Sequence, residues 1–259
     1  MKIKSMTKYS FSGALKAYLI FAAIIFAIIN TVVIITAATG SQGGSFGGMD
    51  FSTVVFMFIL GIVNYREDLS MSIQNGISRK TYFCSTVIVF ALIAVIGSAG
   101  DTLISMLGNF YQNNVSEEIS FDSGYEQLFM WSKDIIVPPT PEAFDYLKQF
   151  ILQITFNIAA LAGGLLFASV IYRLSKVFKF IVPAAFYVLI CVVFPIIDYS
   201  VFDFAITKNV SKLLSWMGES VWYMSSVFVG LAAVLFAVSY LFIRLSLIHI
   251  SEPTRPRLI

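Results

Sequence analysis

Long apolar stretches separated by short polar ones set the organisation of this chain. Six are legible, at about residues 15–37, 51–65, 82–110, 147–172, 177–197 and 220–243. A helix rises about 1.5 Å per residue, so a bilayer core of about 30 Å takes around 20 mostly apolar residues. The pattern therefore predicts six helical spans. The second is short, about 22 Å as a helix, and has to borrow length from its flanks. On one side GSQGGSFGGMD is a glycine-rich loop that places Asp50 as an N-cap. On the other side the helix can run on into NYREDLSMSIQNGISRKTYF, residues 64–83.

That segment has its own periodicity. Leu69, Ile73 and Ile77 recur every four residues and would form one apolar stripe, leaving Arg66, Glu67, Ser70 and Gln74 to water. Asn75-Gly76 is a natural stop, because both residues tolerate the left-handed conformation that ends helices. Ser78 can cap the next helix, and Arg79 and Lys80 then sit where anionic headgroups would meet them. The expectation is a helix, an elbow and a second helix.

Other polar stretches are also readable. In PPTPEAF, Thr140 is placed to cap a helix, Pro141 to take its first position and Glu142 to face its positive end. The loop from about 111 to 146 carries Glu117, Glu118 and Asp122 among aromatics, so it is expected to fold against the bundle surface. In NIAALAGGLLFAS, Ala160 and Gly164, like Ala159 and Gly163, are four apart and admit a close backbone approach, either within the subunit or between subunits. In VWYMSS, Trp222 and Tyr223 suit an interfacial aromatic belt.

Composition narrows the function. The chain is 58% hydrophobic and 12% charged over 259 residues, against about 25% charged in soluble domains, so an all-α integral membrane protein is expected. Lys2, Lys4, Lys8, Lys16, Arg66, Arg79, Lys80, Arg173, Lys176, Lys179 and Arg244 fall on the side of the N-terminus, against Lys133, Lys148, Lys208 and Lys212 on the other. The positive-inside rule then puts both termini in the cytoplasm of a multi-pass cell-membrane protein. The net charge of +2 is scattered among loops, which gives no nucleic-acid footprint. No G-x-x-x-x-G-K-[ST] phosphate cradle occurs, so nucleotide hydrolysis by this chain is not expected. The single histidine is His249, which leaves no histidine for a metal site in the bundle. Cys84 and Cys191 lie in apolar spans and read as small hydrophobes. No catalytic residue, metal ligand or cofactor is therefore expected. Asp101 and Asp198 fall near outer ends of spans, as headgroup-level or capping carboxylates, or as contacts for cargo in an outer vestibule.

The cytoplasmic REDLSMSIQNGISRKTYF, the large outer loop before the fourth span and the short basic RLSKVFK before the fifth together resemble the permease subunits of bacterial ABC-type exporters, up to about Arg244. The resemblance implies a coupling helix between spans two and three that docks on a separate ABC ATPase subunit, with Arg66, Glu67, Leu69, Ile73, Gly76, Arg79 and Lys80 as its contact region. It further implies a second permease subunit, identical or related, and a surround of membrane lipids. An interfacial helix that only anchors a turn is the plainer reading of the same segment. A stand-alone secondary transporter, or a membrane sensor without an ATPase partner, is the alternative function. Finally, LSLIHISEPTR at 245–255 resembles the in-frame translation of a sequencing-library adapter, so 245–259 is expected to be a non-native tail following a single permease domain, 1–244.

Overall fold

The computed structural model describes residues 2–39, 45–114, 120–130, 141–175, 177–202 and 204–245. It is all-α apart from one pair of short strands. In chain order it comprises α1 (Lys2–Thr39), β1 (Ser45–Gly47), α2 (Met49–Gln74), α3 (Arg79–Asn114), β2 (Ser120–Asp122), a π-helical turn (Glu126–Met130) and α4 (Ala143–Ile171). There follow α5 (Phe178–Val188), a second π-helical turn (Leu189–Val193), α6 (Phe194–Ser200), α7 (Ala205–Gly218) and α8 (Val221–Leu245). Helices α1, α2, α3, α4 and α8 are long and apolar enough to cross a membrane. Their outward faces carry large apolar side chains such as Ile20, Ile34, Val55 and Val234, which lipid rather than water would cover. This is an all-α membrane protein.

Several boundaries differ from the sequence pattern for physical reasons. α1 begins well before Leu15, because Met6, Ser10, Ala14 and Tyr18 recur every four residues and bury one stripe. α2 is capped by Gly48 in the left-handed region (φ 67°), which a glycine adopts freely, so Asp50 lies inside the first turn and is not the N-cap. α4 is capped by Glu142, whose N–H donates to Asp145 Oδ2 at 3.1 Å in a reciprocal capping box. Pro141 thus precedes the cap, and Thr140 lies outside the described residues. Two acidic side chains at the helix's positive end serve it better than a single threonine would.

The fifth apolar stretch is helical throughout but broken into α5, a π turn and α6. Pro183 falls inside α5 and Pro195 in the first turn of α6, and a proline offers no N–H to the helical ladder. The π turn precedes Pro195 and takes up the disturbed register. Among the described residues five helices are each long and apolar enough to span by themselves, and the fifth apolar stretch is a succession of shorter helical pieces.

The helices pack around α4, which touches α2, α3 and α8. α2 and α4 approach most closely at Gly61 and Gly164: a Cβ at Gly61 would stand 2.5 Å from the Leu161 carbonyl oxygen, and one at Gly164 would stand 3.1 Å from Gly61 Cα. Only hydrogen fits at this crossing.

The ends of the bundle are distinct. At one end Met6, Leu69, Tyr82 and Ile243, from α1, α2, α3 and α8, belong to one buried cluster. Arg79 Nη1 donates to the Arg244 carbonyl at 2.6 Å, and Arg173 donates to the Phe242 carbonyl while its guanidinium lies 5.0 Å from the Phe242 ring centre. At the far end Tyr125, Leu152, Met217, Val221 and Met224 form a second cluster. α4 and α8 both finish at the first end, so the chain between Arg173 and Val221 returns to the far end, and α5, the π turn and α6 make that return. Asp198 closes it by accepting from the N–H groups of Ile206 and Thr207, both at 3.0 Å, at the start of α7. This is the capping role among the readings open to it.

The far end is tied by β1 and β2, which pair in parallel with Ser45 opposite Ser120, Phe46 opposite Phe121 and Gly47 opposite Asp122. Phe121 then packs with Ile29 and Val33 of α1. The described part of the long loop folds against the bundle, as its aromatic content predicts.

Candidate functional site

The elbow sits at the end shared by the starts of α1 and α3 and the ends of α4 and α8. α2 runs unbroken from Met49 to Gln74, so the amphipathic segment is the last two turns of a long helix and not a separate one. Asn75 is its C-cap, with its N–H donating to the Met71 carbonyl at 3.1 Å, and Gly76 takes φ 62°. The Thr81 N–H donates to Ser78 Oγ at 3.2 Å, which makes Ser78 the cap of α3. The expected sequence of helix, elbow and helix is present, with the stop and the cap at the residues that the pattern indicates.

Its surface differs from the expected stripe. Leu69 is buried and Ile77 half-buried against the core, but Ile73 is 46% exposed. The inward face of α2 here is Tyr65, Asp68, Leu69 and Ser72, all buried. Asp68 is thus turned inward, while Arg66 and Glu67 are exposed, as the pattern predicts. Arg79 is half-buried and turned to the end of α8, and Lys80 is exposed. Arg66, Glu67, Ser70, Ile73, Gln74, Gly76 and Lys80 thus form one accessible surface, and Leu69 and Arg79 support it from beneath. Arg66 and Glu67 also line two adjoining grooves of about 480 and 570 Å³, one against Tyr172 at the C-cap of α4 and one against Tyr9 of α1. Of the small residues in α4, Gly164 meets α2 backbone, Gly163 lies within van der Waals reach of the Phe58 ring, and Ala160 flanks the core. The close approach is within the subunit.

A second cluster lies at the far end, where pattern reading placed only isolated carboxylates. Asp50, Asp101 and Glu126 are all buried, as are Thr53, Gln149 and Gln153. Thr53 Oγ1 donates to Asp101 Oδ1 at 2.6 Å, and Gln153 Nε2 donates both to Asp101 Oδ2 at 3.0 Å and to the Asp50 carbonyl at 3.1 Å. The Gly124 N–H donates to Asp50 Oδ2 at 3.0 Å, tying the loop before α4 to α2. Glu126 accepts from the Ser123 N–H at 2.6 Å and lies 3.4 Å from Asn109 Nδ2. Burial holds the Glu126 carboxyl above its ordinary range despite these donors, and burial likewise raises the Tyr125 phenol. Neither Asp50 nor Asp101 makes an ion pair among the described residues; the pair formed there is Lys148 with Asp145, at 2.9 Å. Asp101 is buried between α2, α3 and α4 and caps no helix end. The available signal was its position on α3, four residues from Gly97 and Ser105 on a face of small residues, which marks the side turned toward other helices.

No known protein family, curated protein or solved structure matches the chain.

Proposed function

We propose that this chain is the membrane-spanning permease component of an ATP-binding cassette export system, driven by a separate ATPase subunit. The observation that carries the reading is the elbow. A single rigid helix, α2, connects the far-end polar cluster to an accessible tip bearing Arg66, Glu67, Ile73, Gly76 and Lys80. A push on that tip would be transmitted along α2 to α4 through the Gly61–Gly164 crossing, in the manner of packed helices that shift as units. In this reading α5, the π turn and α6 supply a sixth crossing, both ends of residues 1–244 face the cytoplasm, and a second permease subunit completes the pathway. Residues 245–259 take no part in it.

The test is association. The chain should co-purify with an ABC ATPase. Ile73→Asp, at an exposed position whose loss leaves the core intact, should abolish that association while membrane abundance stays normal. Normal insertion with full association and full coupled hydrolysis would defeat the docking assignment. The buried Asp50 and Asp101 favour a second reading, a stand-alone ion-coupled transporter. Transport that survives ATP depletion but stops when ion gradients are collapsed would select it.

A further inference from the structure

The outward face of α2 changes character shortly before the elbow. Ile59 and Val63 are exposed and apolar, and Arg66 and Glu67, the next turn along the same face, are exposed and charged. That change marks the level at which hydrocarbon gives way to headgroups. Tyr172, at the C-cap of α4, and Tyr9 of α1 are exposed on either side of it, and tyrosine is favoured at that level. The groove on the α4 side, about 480 Å³, is walled by Ile62, Val63, Ala168 and Ile171 and, nearer the elbow, by Arg66 and Glu67. The groove on the α1 side, about 570 Å³, sets Tyr9, Ser70 and Gln74 around the same two charges. Arg66 and Glu67 pair neither with each other nor with another charged group among the described residues. Glu67 also lies close enough to the buried Asp68 for their charges to repel.

We propose that the two grooves together bind a zwitterionic phospholipid of the ethanolamine class, drawn from the leaflet on the elbow side. Its phosphate meets Arg66, whose guanidinium forks onto phosphate oxygens, and its ammonium donates to the Glu67 carboxylate. An acyl chain follows the wall of Ile62, Val63, Ala168 and Ile171 toward the bilayer centre. Adjacent charges of opposite sign that do not pair with each other match a headgroup that carries both. A glycerol headgroup brings only the negative charge of its phosphate, so it would satisfy Arg66 and leave Glu67 against an anion. A choline headgroup carries both charges, but its quaternary nitrogen has no N–H to donate to Glu67. The bound lipid would touch α1, α2 and α4, so it fastens α2 to its neighbours just before the elbow. Ile73, Gly76 and Lys80 line neither groove and stay free for a protein partner. This inference rests on neither functional reading above.

The experiment is thermal unfolding of the purified full chain in detergent at neutral pH, with added dioleoyl phosphatidylethanolamine, phosphatidylcholine or phosphatidylglycerol, or with water-soluble phosphoethanolamine. The ethanolamine lipid should raise the midpoint saturably, by about 3–8 °C more than either other lipid, and phosphoethanolamine at the same concentration should leave it unchanged. Arg66 and Glu67 are exposed, so Arg66→Gln and Glu67→Gln should keep the lipid-free midpoint. Arg66→Gln should weaken the response to the ethanolamine lipid about tenfold, and Glu67→Gln should bring it down to that of the choline lipid. Lys80→Gln should respond as the parent does. The proposal is overturned if the three lipids stabilise equally, if the glycerol lipid stabilises most, or if Glu67→Gln keeps the preference for ethanolamine. Stabilisation by phosphoethanolamine alone would make the occupant a soluble headgroup and overturn it equally.

Discussion

Gly163 and Gly164 are neighbours in sequence, yet the crossing of α2 and α4 should make them respond oppositely to one methyl group. A Cβ at Gly164 would lie 3.1 Å from both Gly61 Cα and the Ile62 nitrogen, and nearer still to the Phe58 carbonyl oxygen. Carbon contacts are optimal at about 3.5–4.0 Å, so α2 and α4 would have to part by roughly an ångström. Backbone cannot swing aside as a side-chain tip can, and overpacking of this kind costs about 1–3 kcal/mol. At Gly163 the added Cβ would lie 3.5 Å from the Phe58 ring, an ordinary contact. For a chain of this size 1 kcal/mol corresponds to about 2–4 °C, so Gly164→Ala should lower the unfolding midpoint in detergent by roughly 3–10 °C while Gly163→Ala changes it little. Gly61→Ala should resemble Gly164→Ala, because its Cβ would lie 2.5 Å from the Leu161 oxygen. The double variant should lose less than the sum, since one separation of the helices relieves both clashes. Equal midpoints for Gly163→Ala and Gly164→Ala, or full additivity of the Gly61 and Gly164 losses, would refute the crossing.

The elbow and the far-end loop give two further expectations. Gly76 has φ 62° and nothing within 4 Å of an added Cβ, so Gly76→Val should cost about 1–2 kcal/mol from backbone strain alone and Gly76→Asn should recover much of it, read as midpoint shifts at equal membrane abundance. Burial raises the Glu126 carboxyl in the folded state, so the folded form binds the proton more tightly than the unfolded form does, and this group's contribution is lost as pH rises through the folded value. Hydrogen-exchange protection at 120–130 should therefore fall as pH rises from mildly acid to neutral, and Glu126→Gln should flatten the change; protection that grows with pH in the parent would reverse the sign.

What could be read from the sequence was what local rules determine. The long helices follow from apolar runs, and the elbow from Asn75-Gly76 and Ser78, residues whose preferences act within a turn or two. The N-cap assignments to Asp50 and Thr140 went astray because a left-handed Gly48 and a reciprocal Glu142–Asp145 box satisfied the same helix ends more fully. The pairing of β1 with β2 could not be read from either three-residue segment. The far-end cluster was illegible for a related reason: Asp50, Asp101 and Glu126 come from separate elements, and only the packing of α2, α3 and α4 brings them together. Ile73 misled because a period of four fits both a buried stripe and a helix edge turned outward.

The tie between Asp50 and Gly124 spans 74 positions of sequence, and the strand pair beside it spans a similar interval. Neither can form during synthesis until α3 has been made and the chain has come back to the far end. Before then Asp50 heads a helix whose amide partners have not been translated, so its carboxylate has to stay hydrated while α2 enters the membrane. The far end would accordingly be assembled last, with α2 free to slide along its axis until Gly124 arrests it. Chains released before about residue 124 should hold α1 to α3 but leave their depth in the membrane unset.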